Sequence, residues 1–150
     1  MSTDINCGYL RGIWIKRAKR GPMDPAQSAD LEMTRGIRGN ADQKGKRQVT
    51  VIELEVWKAL MRDLEGSLSP SARRANLMLE GIRLANSRGR ILQIGTCQIM
   101  VSGETRPCEQ MKAELAGLRA AMRPDWRGGA FGEVICDGRT VIGDAVRWLD

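Results

Sequence analysis

Histidine is absent from the 150 residues. That excludes Ser-His-Asp and Cys-His catalysis, zinc sites built on imidazole, and pH switching by histidine. The four cysteines, Cys7, Cys97, Cys108 and Cys136, show no Cys-x-x-Cys spacing. Neither a zinc knuckle nor a dithiol redox motif is written here, and free thiols rather than a disulfide framework are expected. Aromatic residues are scarce, with four Trp, one Tyr and one Phe. A base-stacking platform is therefore poorly supplied, no nucleic-acid motif is present, and nucleic acid is not an expected partner. No Gly-x-Gly-x-x-Gly fingerprint exists, so no nicotinamide or flavin site is expected. Apolar runs fall well short of the ~20 residues of a membrane span. Met1-Ser2-Thr3-Asp4-Ile5-Asn6 lacks the charged and apolar regions of a signal peptide. The expectation is a cytoplasmic protein without a membrane partner.

What is present is a chain with 42% hydrophobic and 28% charged residues, consistent with one globular domain over residues 1–150. Net charge is +6. Basic residues crowd the first third: Lys16, Arg17, Lys19, Arg20, Arg35, Arg38, Lys44, Lys46 and Arg47. They read either as a solvated surface or as a face for an anionic partner. Gly39-x5-Gly45-Lys46 resembles a P-loop but has one residue too many between the glycines. Arg47 also stands where Ser or Thr should bind magnesium.

Alternation predicts a strand over Gly8–Lys16, with Tyr9, Arg11, Ile13 and Ile15 on one face and Trp14 on the other. Gly21-Pro22-Met23-Asp24-Pro25 breaks it, and Thr34–Lys46 reads as a loop. Gln48–Ile52 is a β-branched strand leading into a helix whose Trp57, Leu60, Met61 and Leu64 form a core-facing stripe. Ser69-Pro70 is a helix-start signal. Strands follow at Leu77–Glu80, Ile91–Ile94 and Cys97–Val101, the last two paired around Gly95-Thr96. Met111, Leu115, Leu118 and Met122 suit one face of a second helix. Pro124–Gly132 reads as a loop. Val134–Cys136 and Thr140–Ile142 flank Asp137-Gly138, a hairpin signal, and a last strand covers Val146–Leu149. Six or seven strands with two helices make a mostly β, α+β domain or a barrel with helical insertions.

Cys108 follows Arg106 and Pro107 at the expected start of a helix. Free N–H groups there and the adjacent arginine both favour the thiolate, the form that attacks electrophiles and binds metals. An ordinary helix-start cysteine is the competing reading. Cys97 and Cys136, inside apolar strands, read as buried and inert. Arg73, Arg74 and Asn76 present groups that bind phosphate or both donate and accept, though taken alone an ion pair at Arg74 and a turn cap at Asn76 explain them better. The acids Glu53, Glu55, Asp63 and Glu65 read as surface charge.

Taken in order, Arg47-Gln48-Val49-Thr50-Val51-Ile52, Arg73-Arg74-Ala75-Asn76-Leu77, Gly95, Arg106-Pro107-Cys108, Gly128-Gly129 and Ile142-Gly143-Asp144 resemble the MOSC family, named for the C-terminal domain of molybdenum cofactor sulfurase. The resemblance runs from about Gly8 to the end. It implies a β-barrel core, a cysteine at Cys108 that ligates molybdenum of the pterin cofactor, and an Arg-x-Asn contact to that cofactor at Arg74 and Asn76. Arg47, Thr50 and Arg106 complete the expected cofactor-binding set. Family reductases act on N-hydroxylated compounds. The family is also proposed to carry a persulfide on this cysteine, received from a pyridoxal-phosphate-dependent cysteine desulfurase. The sequence contains no flavin, haem or iron–sulfur module, so a reductase reading requires an external electron-donor protein. Many relatives have Gly-Asp before the Arg-Gln-Val-Thr strand; here Gly39-Asn40-Ala41-Asp42 stands there.

Overall fold

A computed structural model describes residues 7–19, 21–41, 45, 47–70, 75–105, 117–122 and 124–149. Eleven strands lie among them: β1 Cys7–Lys16, β2 Met23–Pro25, β3 Ser28–Glu32, β4 Gly36–Ile37, β5 Val49–Glu53, β6 Leu77–Glu80, β7 Ile91–Ile94, β8 Cys97–Glu104, β9 Ala130–Cys136, β10 Gly138–Val141 and β11 Ala145–Leu149. Helix α1 covers Leu54–Asp63 and the short α2 covers Leu118–Ala121. Seven strands close in the order β1-β11-β7-β8-β9-β5-β6, with β6 returning to β1. An odd number of strands cannot close with every neighbour antiparallel. The one parallel pair, β5 with β6, resolves the parity (Val51 opposite Leu77). A parallel pair needs a crossover, and the segment containing α1 supplies it.

Inward residues from all seven strands fill the barrel, among them Leu10, Val51, Leu77, Leu79, Leu92, Ile99 and Val146. Outside it, Trp57, Leu60 and Met61 of α1 pack on Met122. That is the stripe expected from the i, i+3, i+4 spacing, with Leu64 partly buried beside it. Removing one of the fully buried barrel side chains, for example by Ile99→Ala, is expected to cost about 2–5 kcal/mol in urea unfolding.

Three expectations change. A register shift between Leu10 and Gly12 against β6 breaks the alternation of β1. Tyr9 and Arg11 face solvent, whereas Leu10, Ile13 and Ile15 face the core. Asp137-Gly138 does not make a hairpin. Both edges of β9 are already taken, by β8 and β5, so β10 pairs with β3 in a separate three-stranded sheet with β4. The Asp137 carboxylate accepts the Met33 N–H beside that sheet. The expected loop Thr34–Lys46 contains β4, whose Ile37 is buried against the barrel.

The Gly128-Gly129 motif has a steric basis. Gly129 has φ +91°, and a Cβ there would sit 2.1 Å from the Val51 carbonyl oxygen. Its carbonyl accepts the Thr105 N–H at 2.9 Å. The expected loop accordingly gives way to β9 at Ala130, four residues before the predicted Val134. Gly129→Ala is expected to destabilise the fold by roughly 3 kcal/mol, from the positive φ and the backbone clash together, and thermal unfolding measures it.

Candidate functional site

Asn76, immediately before β6, is 5% exposed. Its backbone N–H donates to the Thr50 carbonyl at 3.0 Å, and its carbonyl accepts from Trp14 N–H at 2.8 Å. Its side-chain oxygen accepts the Thr50 N–H at 3.1 Å and the Thr50 hydroxyl at 3.2 Å. Its amide nitrogen donates to the Trp14 carbonyl and to Asn40 Oδ1, each at 3.1 Å. Two donors and two acceptor directions are the full capacity of a carboxamide, and protein fills all of them. Asn40 Oδ1 also accepts the Lys16 N–H at 2.7 Å, while Lys16 O accepts the Ala41 N–H at 2.6 Å. Asn76 thus ties β1, β5 and the segment before β5 to the start of β6.

This knot forms the floor of a cavity of about 280 Å³ lined by Lys16, Met23, Asn40, Ala41, Arg47, Thr50 and Asn76. Arg47, Thr50 and Asn76, three of the six residues singled out in the sequence, share it. The Arg47 guanidinium lies 5.5 Å from the Phe131 ring centre, a cation–π contact. Two cationic side chains and no carboxylate are among the described lining residues, so the cavity suits a small anionic group. The sequence alone does not mark Lys16 and Asn40 as site residues. Lys16 is one of nine crowded basic residues, and Asn40 stands where the pattern is broken.

Cys108, Arg74 and Arg106 lie outside the described residues, as do Arg73, Asp42 and the segment carrying Met111 and Leu115. The chain approaches Arg106-Pro107-Cys108 through Thr105, which is 3% exposed. Its hydroxyl and that of Ser102 are buried with no hydrogen-bond partner among the described residues. A buried hydroxyl without a partner is costly and marks a place where a polar group is wanted.

The other thiols behave differently from one another. Cys97 is fully buried, and burial first, then the Cys136 thiol, pushes its pKa up to about 11. The folded chain therefore holds this proton more tightly than the unfolded chain does. Its contribution to stability is complete below the ordinary thiol value and is lost as pH rises from there toward 11. Cys136 is half-buried rather than sealed, correcting the sequence reading, and Cys7 is exposed. Iodoacetamide at pH 8 is expected to modify Cys7 and leave Cys97 intact in the native protein, as peptide mass mapping will show. Glu53 and Glu55 are not simple surface charge. Glu53 Oε2 accepts the Leu84 N–H at 3.3 Å and Glu55 Oε2 the Gly81 N–H at 2.7 Å. Burial raises the Glu53 pKa.

A closed seven-stranded barrel, with a cation-lined cavity between β1, β5 and the residue before β6, defines a β-barrel domain. The MOSC domain model matches residues 30–147, and the chain belongs to that family. Comparison with curated proteins gives no sequence match. Among solved structures, the YUAD protein from Bacillus subtilis superposes with a TM-score of 0.79 at 17% identity, over 95% of each chain. YiiM from Escherichia coli gives 0.71 at 16% identity, over 95% of this chain and 70% of that one. YiiM from Geobacillus stearothermophilus gives 0.72 at 14%, over 95% and 74%. At these identities the likeness is one of fold. No helix among the described residues is long and apolar enough to cross a membrane.

Proposed function

We propose that this protein binds the molybdenum cofactor, with the Cys108 thiolate as protein ligand to the metal, and serves as the reducing component of a system acting on N-hydroxylated compounds. The observation that carries the reading is the cavity shared by Lys16, Asn40, Arg47, Thr50 and Asn76. Its two cations suit the phosphate end of a pterin cofactor. The buried Thr105 hydroxyl, three residues before Cys108 and without a partner among the described residues, suits a polar group at that approach. The residues present therefore fit the group. Bound there, the cofactor supplies two-electron oxygen-atom chemistry, by which N–OH with two electrons and two protons becomes N–H and water.

The chain's own residues divide the work of holding it. Cys108 offers a soft sulfur ligand. Arg74, Arg106, Arg47 and Lys16 balance the cofactor's negative charge. Asn76, its amide committed to protein, acts by fixing Thr50 and Asn40 in the cavity wall. Electrons arrive from a separate donor protein, for which a reduced viologen dye substitutes in an assay. Protein made in a molybdopterin-competent host should oxidise reduced viologen only when a hydroxylamine or amidoxime is added. Substrate-independent oxidation, or none with cofactor present, would count against the reductase reading. Arg47→Ala is expected to lower pterin retained through gel filtration by about tenfold while leaving the fold intact, and extracted pterin fluorescence measures it.

A further inference from the structure

A second, larger cavity of about 650 Å³ shares no described residue with the first. It occupies one mouth of the barrel. Glu53 pairs with Leu79 across the parallel β5–β6 ladder, and side chains paired in that register share a face. Leu79 is completely buried in the barrel interior, so Glu53 belongs to the inward side at the end of β5. Trp148, 7% exposed, enters from the end of β11, and Arg90 from just before β7. Helix α1 contributes Val56, Ala59 and Leu60, which with Ile82 and Trp148 make an apolar wall.

The polar groups divide into two sets. The glutamates are wall braces, each with an oxygen committed to a backbone N–H of the segment after β6. Arg83, Arg90 and Arg127 also line the space, and Arg83 lies near enough to the Glu53 carboxylate to interact with it electrostatically. Arg90 lies 4.4 Å from the Trp148 ring centre, and Arg127 donates to the Ala121 carbonyl at 3.4 Å, an arrangement that holds both in place. Three arginines and two glutamates leave one formal positive charge in surplus, and the glutamates are braced by backbone N–H groups, Glu53 facing Arg83 as well. A cavity of this size with an apolar wall and a few converging charges has the character of a small-molecule site.

We propose that the barrel mouth is a binding site for a small organic anion, a carboxylate or phosphate monoester on a hydrophobic body. The body packs against Val56, Leu60, Ile82 and Trp148, and the anionic end pairs with Arg83 and Arg127. This site is independent of the cofactor reading and stands or falls separately from it.

The test uses 2-naphthoate, 2-naphthyl phosphate and neutral 2-naphthamide as probes. Binding is followed by calorimetry and by 19F NMR of protein labelled with 5-fluorotryptophan, the Trp148 resonance being assigned with Trp148→Phe. At least one anion should bind saturably, shift the Trp148 signal and bind about tenfold more tightly than the amide. The better of the two anions identifies the acid group. Arg83→Gln with Arg127→Gln should remove that preference. Ala59→Phe, which fills the space without touching charge, should abolish binding and guards against misfolding of the arginine variant. Equal binding of anion and amide, no Trp148 shift, or undiminished binding to Ala59→Phe would overturn the proposal.

Discussion

Asn76→Ala should cost the fold about 3 kcal/mol or more, a large loss for one buried amide. The alanine removes four side-chain hydrogen bonds at once and leaves the Trp14 carbonyl and the Thr50 N–H without those partners. Each buried group so orphaned costs about 1–3 kcal/mol. Asn76→Asp should be nearly as damaging for a directional reason. One carboxylate oxygen can still accept from Thr50, but the other would face two acceptors, Trp14 O and Asn40 Oδ1. Asn40→Asp is the opposite case. Asn40 Oδ1 already accepts from Lys16 N–H and Asn76, and among the described contacts the change sacrifices the donor contact to Ala41 O at 3.2 Å. Its cost should be clearly smaller than that of Asn76→Asp. Urea denaturation of the three variants checks the order. Equal losses at 76 and 40 would mean that donor and acceptor roles in this knot are not those described.

Cys108→Ser should abolish molybdenum retention with little change in melting temperature. A serine hydroxyl stays protonated near neutral pH and is a hard, weak ligand, whereas a thiolate is soft and anionic. Outer-shell partners of a metal cost roughly 10–100-fold in affinity when removed, and a direct ligand should cost at least that. The measurement is molybdenum per chain after gel filtration, beside a thermal melt. The persulfide alternative has its own signature: added sulfur on intact protein after exposure to a cysteine desulfurase, removed by cyanide and absent in Cys108→Ser. Molybdenum undiminished in the variant would remove Cys108 from the metal.

The barrel was legible in the sequence where strands are short, β-branched and bounded by turn residues, as at Leu77–Glu80 and Ile91–Ile94. It was less legible where pairing decides. A period-two pattern cannot announce the shift at Leu10 and Gly12 that turns Tyr9 and Arg11 outward. Nor can Asp137-Gly138 reveal that β9 has no free edge left to pair with β10. β3 was legible in principle, since Ala29 and Leu31 alternate with polar neighbours, but it lies in a polar stretch short of aromatic and β-branched residues. In the candidate site, the motif Arg47-Gln48-Val49-Thr50 and Asn76 pointed to residues that do share one cavity. The sequence could not tell that Asn76 is consumed internally, because that depends on Trp14 and Asn40, distant in the chain, arriving at its amide. The bracing roles of Glu53 and Glu55 are hidden from the sequence for the same reason. Their partners are backbone N–H groups of a segment some 26 to 31 residues away.

The most direct test of cofactor binding is molybdenum and pterin content of the wild-type protein purified from a molybdopterin-competent host. Close to one molybdenum and one pterin per chain are expected, both absent when the host cannot make molybdopterin. Protein that emerges from the competent host folded, with neither metal nor pterin, would contradict it.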